Sequence, residues 1–138
     1  MTEKQVQLIK HSWKLFRSID PALIGDVFYG KLFQLMPSLK PMFPDSMTEQ
    51  YIKIVDTLSL VVARLDKLDE INQEITQLAV RHVQYGVKPA HYAVVGQALL
   101  WTLEKGLGND WTPEVAEAWL RCYEKLSNTM ILAAYGTS

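Results

Sequence analysis

The segment Asp69–His91 reads DEINQEITQLAVRHVQYGVKPAH, and it joins a helical apolar pattern to a lone histidine. Ile71, Ile75, Leu78 and Ala79 fall on one face at helical spacing, which predicts a helix from Asp69 to about His82. Gly86 and Pro89 then interrupt it, and a longer helix is predicted from Pro89 to Lys105, ended by Gly106 and Gly108. His82 stands four residues after Leu78 and three after Ala79, so it projects from the apolar stripe. A buried imidazole there needs partners for its ring nitrogens. Spacing alone leaves two readings open: a metal ligand, or a boundary histidine satisfied by backbone.

The same period recurs on both sides. Thr2 and Gln5 form a capping-box pattern ahead of Val6, Leu8, Ile9, Trp13 and Phe16. Asp20-Pro21 is an N-cap acid followed by proline at the first helical position. From there Leu23, Ile24, Val27, Phe28, Leu32 and Leu35 recur until Pro37, and Pro37, Pro41 and Pro44 set a turn-rich link from Met36 to Ser46. Thr48 opens another helix, Gln50 to Leu65, with Ile54, Leu58, Val61 and Leu65 as its stripe. Thr112-Pro113 starts the last helix, expected to run to about Tyr135 and stop at Gly136. No segment alternates as a strand does. The expectation is an all-α fold of six or seven helices, one domain over residues 1–138, packed around one core. Periodicity alone would allow several kinds of bundle.

Composition excludes several classes. Hydrophobic residues make up 49% and charged residues 21%, which suits a packed globule rather than a disordered chain. A net charge of −1, with Lys and Arg scattered among acids, argues against a nucleic-acid binder. No stretch is apolar enough to span a membrane. The single cysteine, Cys122, cannot form a disulfide within the chain, and no secretory signal is visible at Met1–Gln5, so a cytoplasmic location is expected.

No phosphate loop, Cys-x-x-Cys pair or His-Glu-x-x-His signature occurs. With only His11, His82 and His91, a zinc site built wholly from protein is poorly supplied. A metal that brings most of its own ligands needs only one side chain, and haem iron is that case. His11 reads as a surface residue and His91 as a helix-start residue. Gln50 heads an apolar stripe and Tyr29 lies between Phe28 and Leu32, so both polar tips want partners if they point inward. The alternatives are a Tyr29 that points outward and a Gln50 that is an ordinary first-turn residue. Trp13, Trp101, Trp111 and Trp119 read as packing residues, and Met36, Met42 and Met47 as gap fillers or pocket lining.

Several stretches resemble the globin family, in the branch of flavohaemoglobin haem domains, bacterial single-domain haemoglobins and neuroglobins. They are Leu8-Ile9-Lys10-His11-Ser12-Trp13, Val27-Phe28-Tyr29-Gly30-Lys31-Leu32-Phe33, Pro37-Ser38-Leu39-Lys40-Pro41-Met42-Phe43, Arg81-His82-Val83-Gln84-Tyr85-Gly86-Val87, His91-Tyr92-Ala93-Val94-Val95-Gly96-Gln97, and Trp111-Thr112-Pro113 with Ala118-Trp119. The resemblance covers essentially the whole chain. It implies a globin fold around haem b, with His82 as the proximal iron ligand and Phe43 against the haem face. It places Tyr29 and Gln50 at the distal pair and Ile54 at the apolar distal position. It aligns Arg81 with a propionate contact, and Val87 and Tyr92 with the proximal side. Gln50 stands where neuroglobins carry a coordinating histidine, leaving Lys53 as the less favoured internal sixth ligand. The last-helix glutamate of flavohaemoglobins falls near Ala133-Ala134 here, with no acid present.

The resemblance implies binding of dioxygen, carbon monoxide or nitric oxide, for oxygen storage, delivery or scavenging. Its alternatives are a nitric oxide dioxygenase and a gas sensor acting through a partner. Nitrite reduction is open to most haems with a free position. No reductase domain follows Ser138, so the dioxygenase is expected to need a separate reductase. Neither nucleic acid nor a membrane is an expected partner. The family's members include monomers and homodimers.

Overall fold

A computed structural model describes residues 1–135, apart from the side chains of Leu68 and Asp69. Six α-helices carry it: α1 (Glu3–Phe16), α2 (Pro21–Leu35), α3 (Thr48–Ala63), α4 (Asn72–Gln84), α5 (Pro89–Leu107) and α6 (Pro113–Tyr135). Three short 3-10 segments, Pro37–Met42, Leu65–Ile71 and Gly108–Asp110, join them, and no strand occurs among the described residues.

The helix starts follow local chemistry. The Gln5 amide donates to Thr2 Oγ1 at 3.1 Å while the Thr2 amide donates to Gln5 Oε1 at 3.0 Å, completing the capping box. Asp20 accepts from the Ala22 amide at 3.0 Å ahead of Pro21, and Thr112 accepts from the Val115 amide at 3.2 Å ahead of Pro113. The stop expected at Gly136 lies outside the described residues.

Three boundaries differ from the sequence expectation. The helix expected from Asp69 begins at Asn72, because Leu65–Ile71 is a 3-10 segment broken at Lys67 (φ −140, ψ 47). This tighter link still buries Leu65 and Ile71, so the apolar spacing there imitates a helix. For the same reason α3 ends at Ala63 rather than Leu65. The long helix continues past Lys105 and Gly106 to Leu107, and Gly108 (φ +53) ends it. Gly106 lies inside the helix, where the Phe16 ring occupies the space of a Cβ, 2.4 Å from the nearest ring carbon.

Packing runs between α2 and both α3 and α5, between α4 and α6, and between α1 and α6. Ile24, Phe28 and Leu32 line the buried row of α2, with Gly25 and Tyr29 beside them. Leu23 and Leu35, placed on that stripe from sequence, are 55% and 40% exposed. They lie at the margins of a face whose width is fixed by α3 and α5. Trp119 is 1% exposed and its indole N–H donates to Ser12 Oγ at 2.9 Å. The Trp13 indole N–H donates to Ser59 Oγ at 3.2 Å, so two tryptophans tie α1, α3 and α6 together with their polar atoms satisfied. Trp101 is half-buried, with the Lys31 ammonium 4.8 Å above its ring. No described helix is long and apolar enough to cross a membrane.

Candidate functional site

His82 occupies the last turn of α4, and the chain beyond it is folded by hydrogen bonds to that turn. The Val87 amide donates to the His82 carbonyl and the Gly86 amide to the Val83 carbonyl, each at 3.0 Å. This is a Schellman closure, and it requires a residue at positive φ, supplied by Gly86 at +88°. The half-buried imidazole meets the Leu78 carbonyl through Nδ1 at 2.7 Å. A carbonyl only accepts, so the proton sits on Nδ1 and Nε2 keeps a free lone pair. Burial holds the His82 pKa below its ordinary 6.5; the Leu78 bond opposes this and the nearby Arg81 cation adds to it. The ring is therefore neutral near pH 7, ready to ligate a metal without first losing a proton.

On α2, Tyr29 is 7% exposed and sits in an aromatic cluster. Its ring meets Phe43 edge-on at 5.4 Å, Phe28 at 4.9 Å and Phe33 at 6.0 Å, and it stacks on Tyr51 at 5.8 Å. Burial is the main cause that pushes the Tyr29 hydroxyl up to about 12, with Tyr51 adding to it, so it stays a donor at neutral pH. Among the described residues that hydroxyl has no hydrogen-bond partner. Phe43 caps the Pro37–Met42 segment, and Met42 touches Gly86, with its methyl 3.7 Å from where a Cβ would stand. The Phe43 segment and the loop after His82 thus meet.

The remaining sequence-predicted residues divide by exposure. Gln50 and Ile54 are half-buried on α3, and Ile54 packs against the core. Lys53 and Arg81 are exposed. Val87 packs against the core, and its carbonyl accepts from the Tyr135 hydroxyl. Tyr92 is 7% exposed, and its buried hydroxyl has no hydrogen-bond partner among the described residues. Geometry unites Tyr29 with Phe43, and His82 with the Val87 loop; among the described residues no polar contact joins Gln50, Lys53 or Arg81 to either group. Spacing did not point to Tyr51, Tyr123 or Tyr135. Tyr123 donates to the Tyr92 carbonyl and covers Gly96. The one available signal was Tyr51's place beside Gln50.

Among the described residues no three His, Cys, Asp or Glu side chains converge to hold a metal. Cys122 is buried and its thiol is pushed up to about 12, which removes it as a thiolate ligand at neutral pH. A surface cleft of about 590 Å³ lies between Met1, Gln5, Arg121 and Lys125 and includes none of the residues above. A neutral single histidine, an aromatic cluster and two phenols without a partner among the described residues fit a largely apolar group that carries its own metal. The orphaned Tyr92 hydroxyl is the kind of atom that a bound polar edge or water satisfies.

Fold and site together define an all-α protein with one neutral histidine poised at a helix end. The family model for globins matches residues 26–130. The chain belongs to the globin family, and membership implies haem binding. It is 29% identical over 136 residues to a Flavohemoprotein of Vibrio cholerae, covering 95% of this chain and 34% of that protein. It is 28% identical over 148 residues to Neuroglobin-1 of Oncorhynchus mykiss, covering 97% and 89%. The solved structure of a bacterial globin from Campylobacter jejuni shares the fold with a TM-score of 0.86 at 24% identity, over 97% of this chain and 96% of that one. This chain spans about a third of the length of the Flavohemoproteins it matches.

Proposed function

We propose that this chain, acting as one domain, holds haem b through His82 and reversibly binds dioxygen and other diatomic gases, for oxygen binding, storage or scavenging. The observation that carries the reading is the 2.7 Å contact of His82 Nδ1 with the Leu78 carbonyl, which leaves Nε2 without a protein partner among the described residues. Haem, when bound, supplies an iron with a position open to a small gas.

The chain's own groups do the rest. His82 Nε2 presents its lone pair in a direction locked by the Leu78 carbonyl and the Gly86 closure. The Tyr29 hydroxyl and the Gln50 amide would supply hydrogen-bond donors to a small gas held on that side. Each such bond contributes roughly 1–2 kcal/mol in dry surroundings, on the order of tenfold in affinity. Phe43 and Ile54 exclude water from that side, while Val87 and Tyr92 line the side of His82. Arg81, being exposed, is free to reach a propionate. Lys53 is disfavoured as an internal ligand because its ammonium is exposed on α3 and well solvated.

A haemin titration of wild type and His82→Ala tests the reading. Wild type takes up one equivalent with a strong Soret band, and His82→Ala loses stable uptake. An unaltered spectrum and affinity in His82→Ala would refute the ligand assignment.

A second reading, nitric oxide dioxygenation with a separate reductase, draws on the relatives named Flavohemoprotein. Repeated turnover of nitric oxide to nitrate with a reductase present would favour it, and a single turnover would favour oxygen binding.

A further inference from the structure

We infer that Tyr51 is a positioning residue that fixes the Tyr29 ring and so the place of its hydroxyl oxygen. The inference rests on the proposed distal role of Tyr29. Three contacts carry it. The Tyr51 ring lies nearly parallel to that of Tyr29, with centroids 5.8 Å apart and planes 24° from parallel. Its place is made by Gly25, one turn before Tyr29 on α2. A Cβ on Gly25 would stand 2.4 Å from both Tyr51 Cβ and Cγ, so any larger residue would push α3 away or turn the ring out. The Tyr51 hydroxyl then reaches Asp26 Oδ1 at 3.5 Å, a long contact on the exposed edge of the same helix.

These contacts form one interlock. Gly25 and Tyr29 share a face of α2, and Asp26 flanks it. Tyr51 enters from α3 and covers one face of the Tyr29 ring, while Phe28 and Phe43 meet it edge-on. With its ring held on several sides, Tyr29 has little freedom at its first two side-chain torsions. Its hydroxyl oxygen is then held at one position without a hydrogen bond of its own, and the O–H remains free to turn toward a ligand. Preorganising a donor in this way removes the ordering cost at the moment a ligand arrives. The influence of Tyr51 on the Tyr29 pKa agrees with the closeness of the two phenols.

The ring of Tyr51, rather than its hydroxyl, does the holding, because the Asp26 contact is long and exposed. Tyr51→Phe therefore keeps the effect, and Tyr51→Leu loses it. Two readouts on the haem-loaded protein test this: the carbon monoxide stretching band and the rate of dioxygen release. A donor pointing at bound carbon monoxide lowers its stretching frequency and narrows the band. Tyr51→Leu is expected to broaden the band, move it to higher frequency and speed dioxygen release by about tenfold, the value of one lost hydrogen bond. Tyr51→Phe restores the wild-type band and rate. In a Tyr29→Phe background, Tyr51→Leu changes neither further. Should Tyr51→Leu fail to fold, Tyr51→Met fills the volume without a flat ring and is read the same way.

A wild-type band and rate in Tyr51→Leu or Tyr51→Met, with only a lowered melting temperature, overturns the inference and leaves Tyr51 a packing residue. A shift of the same size in the Tyr29→Phe background also overturns it, since the effect would not pass through Tyr29. An unchanged release rate in Tyr29→Phe alone refutes the distal role of Tyr29 and this inference together. A faster rate in Tyr29→Phe beside an unchanged Tyr51→Leu refutes only this one.

Discussion

Tyr29 is 7% exposed as a residue, and its neutral hydroxyl has no hydrogen-bond partner among the described residues, so the donor it offers is not committed to them. Replacing Tyr29 with Phe keeps the ring packing and removes only the donor. Dioxygen release in that variant is expected to quicken by about tenfold or more, measured by stopped-flow displacement with carbon monoxide. Cys122 gives an independent residue-scale check. Its thiol is raised from 9.0 to about 12 by burial, so in the native protein it stays protonated and covered. A disulfide reagent at pH 8 should leave it unmodified until denaturant unfolds the chain; rapid reaction under native conditions would contradict the burial. The places of Tyr29 and His82 within apolar helical faces were legible in the sequence, but spacing left an outward Tyr29 and a boundary histidine open, and the resemblance to globins implied their roles. Tyr51 was not legible: what it touches depends on how closely α2 and α3 cross, and Gly25 sets that distance without any periodic signal.

At the scale of elements, the turn after α4 controls where His82 points. Gly86→Ala places a Cβ at φ +88, where L-residues are strained by about 1–2 kcal/mol. The denaturation midpoint should fall accordingly, and haem should leave the variant faster, because the closure that pins the His82 carbonyl loosens. An unchanged midpoint would mean the turn relaxes into another form. Most helices were readable because caps and stripes agree, as at Thr2, Asp20-Pro21 and Thr112-Pro113. The stretch from Leu65 to Ile71 was not, since a 3-10 turn and an α-helix bring apolar residues to one side at nearly the same spacing. Gly106 misled in the opposite direction: a residue that often ends helices stays within one where Phe16 needs its space.

Across the whole molecule, the core joins helices distant in sequence through a few large side chains. Trp119 is 1% exposed, packs 6.0 Å from Trp13 and donates to Ser12. Trp119→Ala is expected to cost about 3–5 kcal/mol, read from urea unfolding. Stability should also depend on alkaline pH in a defined direction. Cys122 and Tyr29 are both held at about 12, against ordinary values of 9.0 and 10.0. The unfolded chain therefore gives up these protons first. Their contribution is complete below about pH 9 and is lost progressively as pH rises towards 12.

The central claim is that His82 binds haem iron on one side and leaves the other open to a gas. The most direct measurement is the absorption spectrum of the haem-loaded protein, reduced in the absence of oxygen. A single broad visible band beside the Soret band is predicted, the mark of five-coordinate iron on one histidine. Sharp, split visible bands would show that an internal group such as Lys53 closes the sixth position, and would contradict the account.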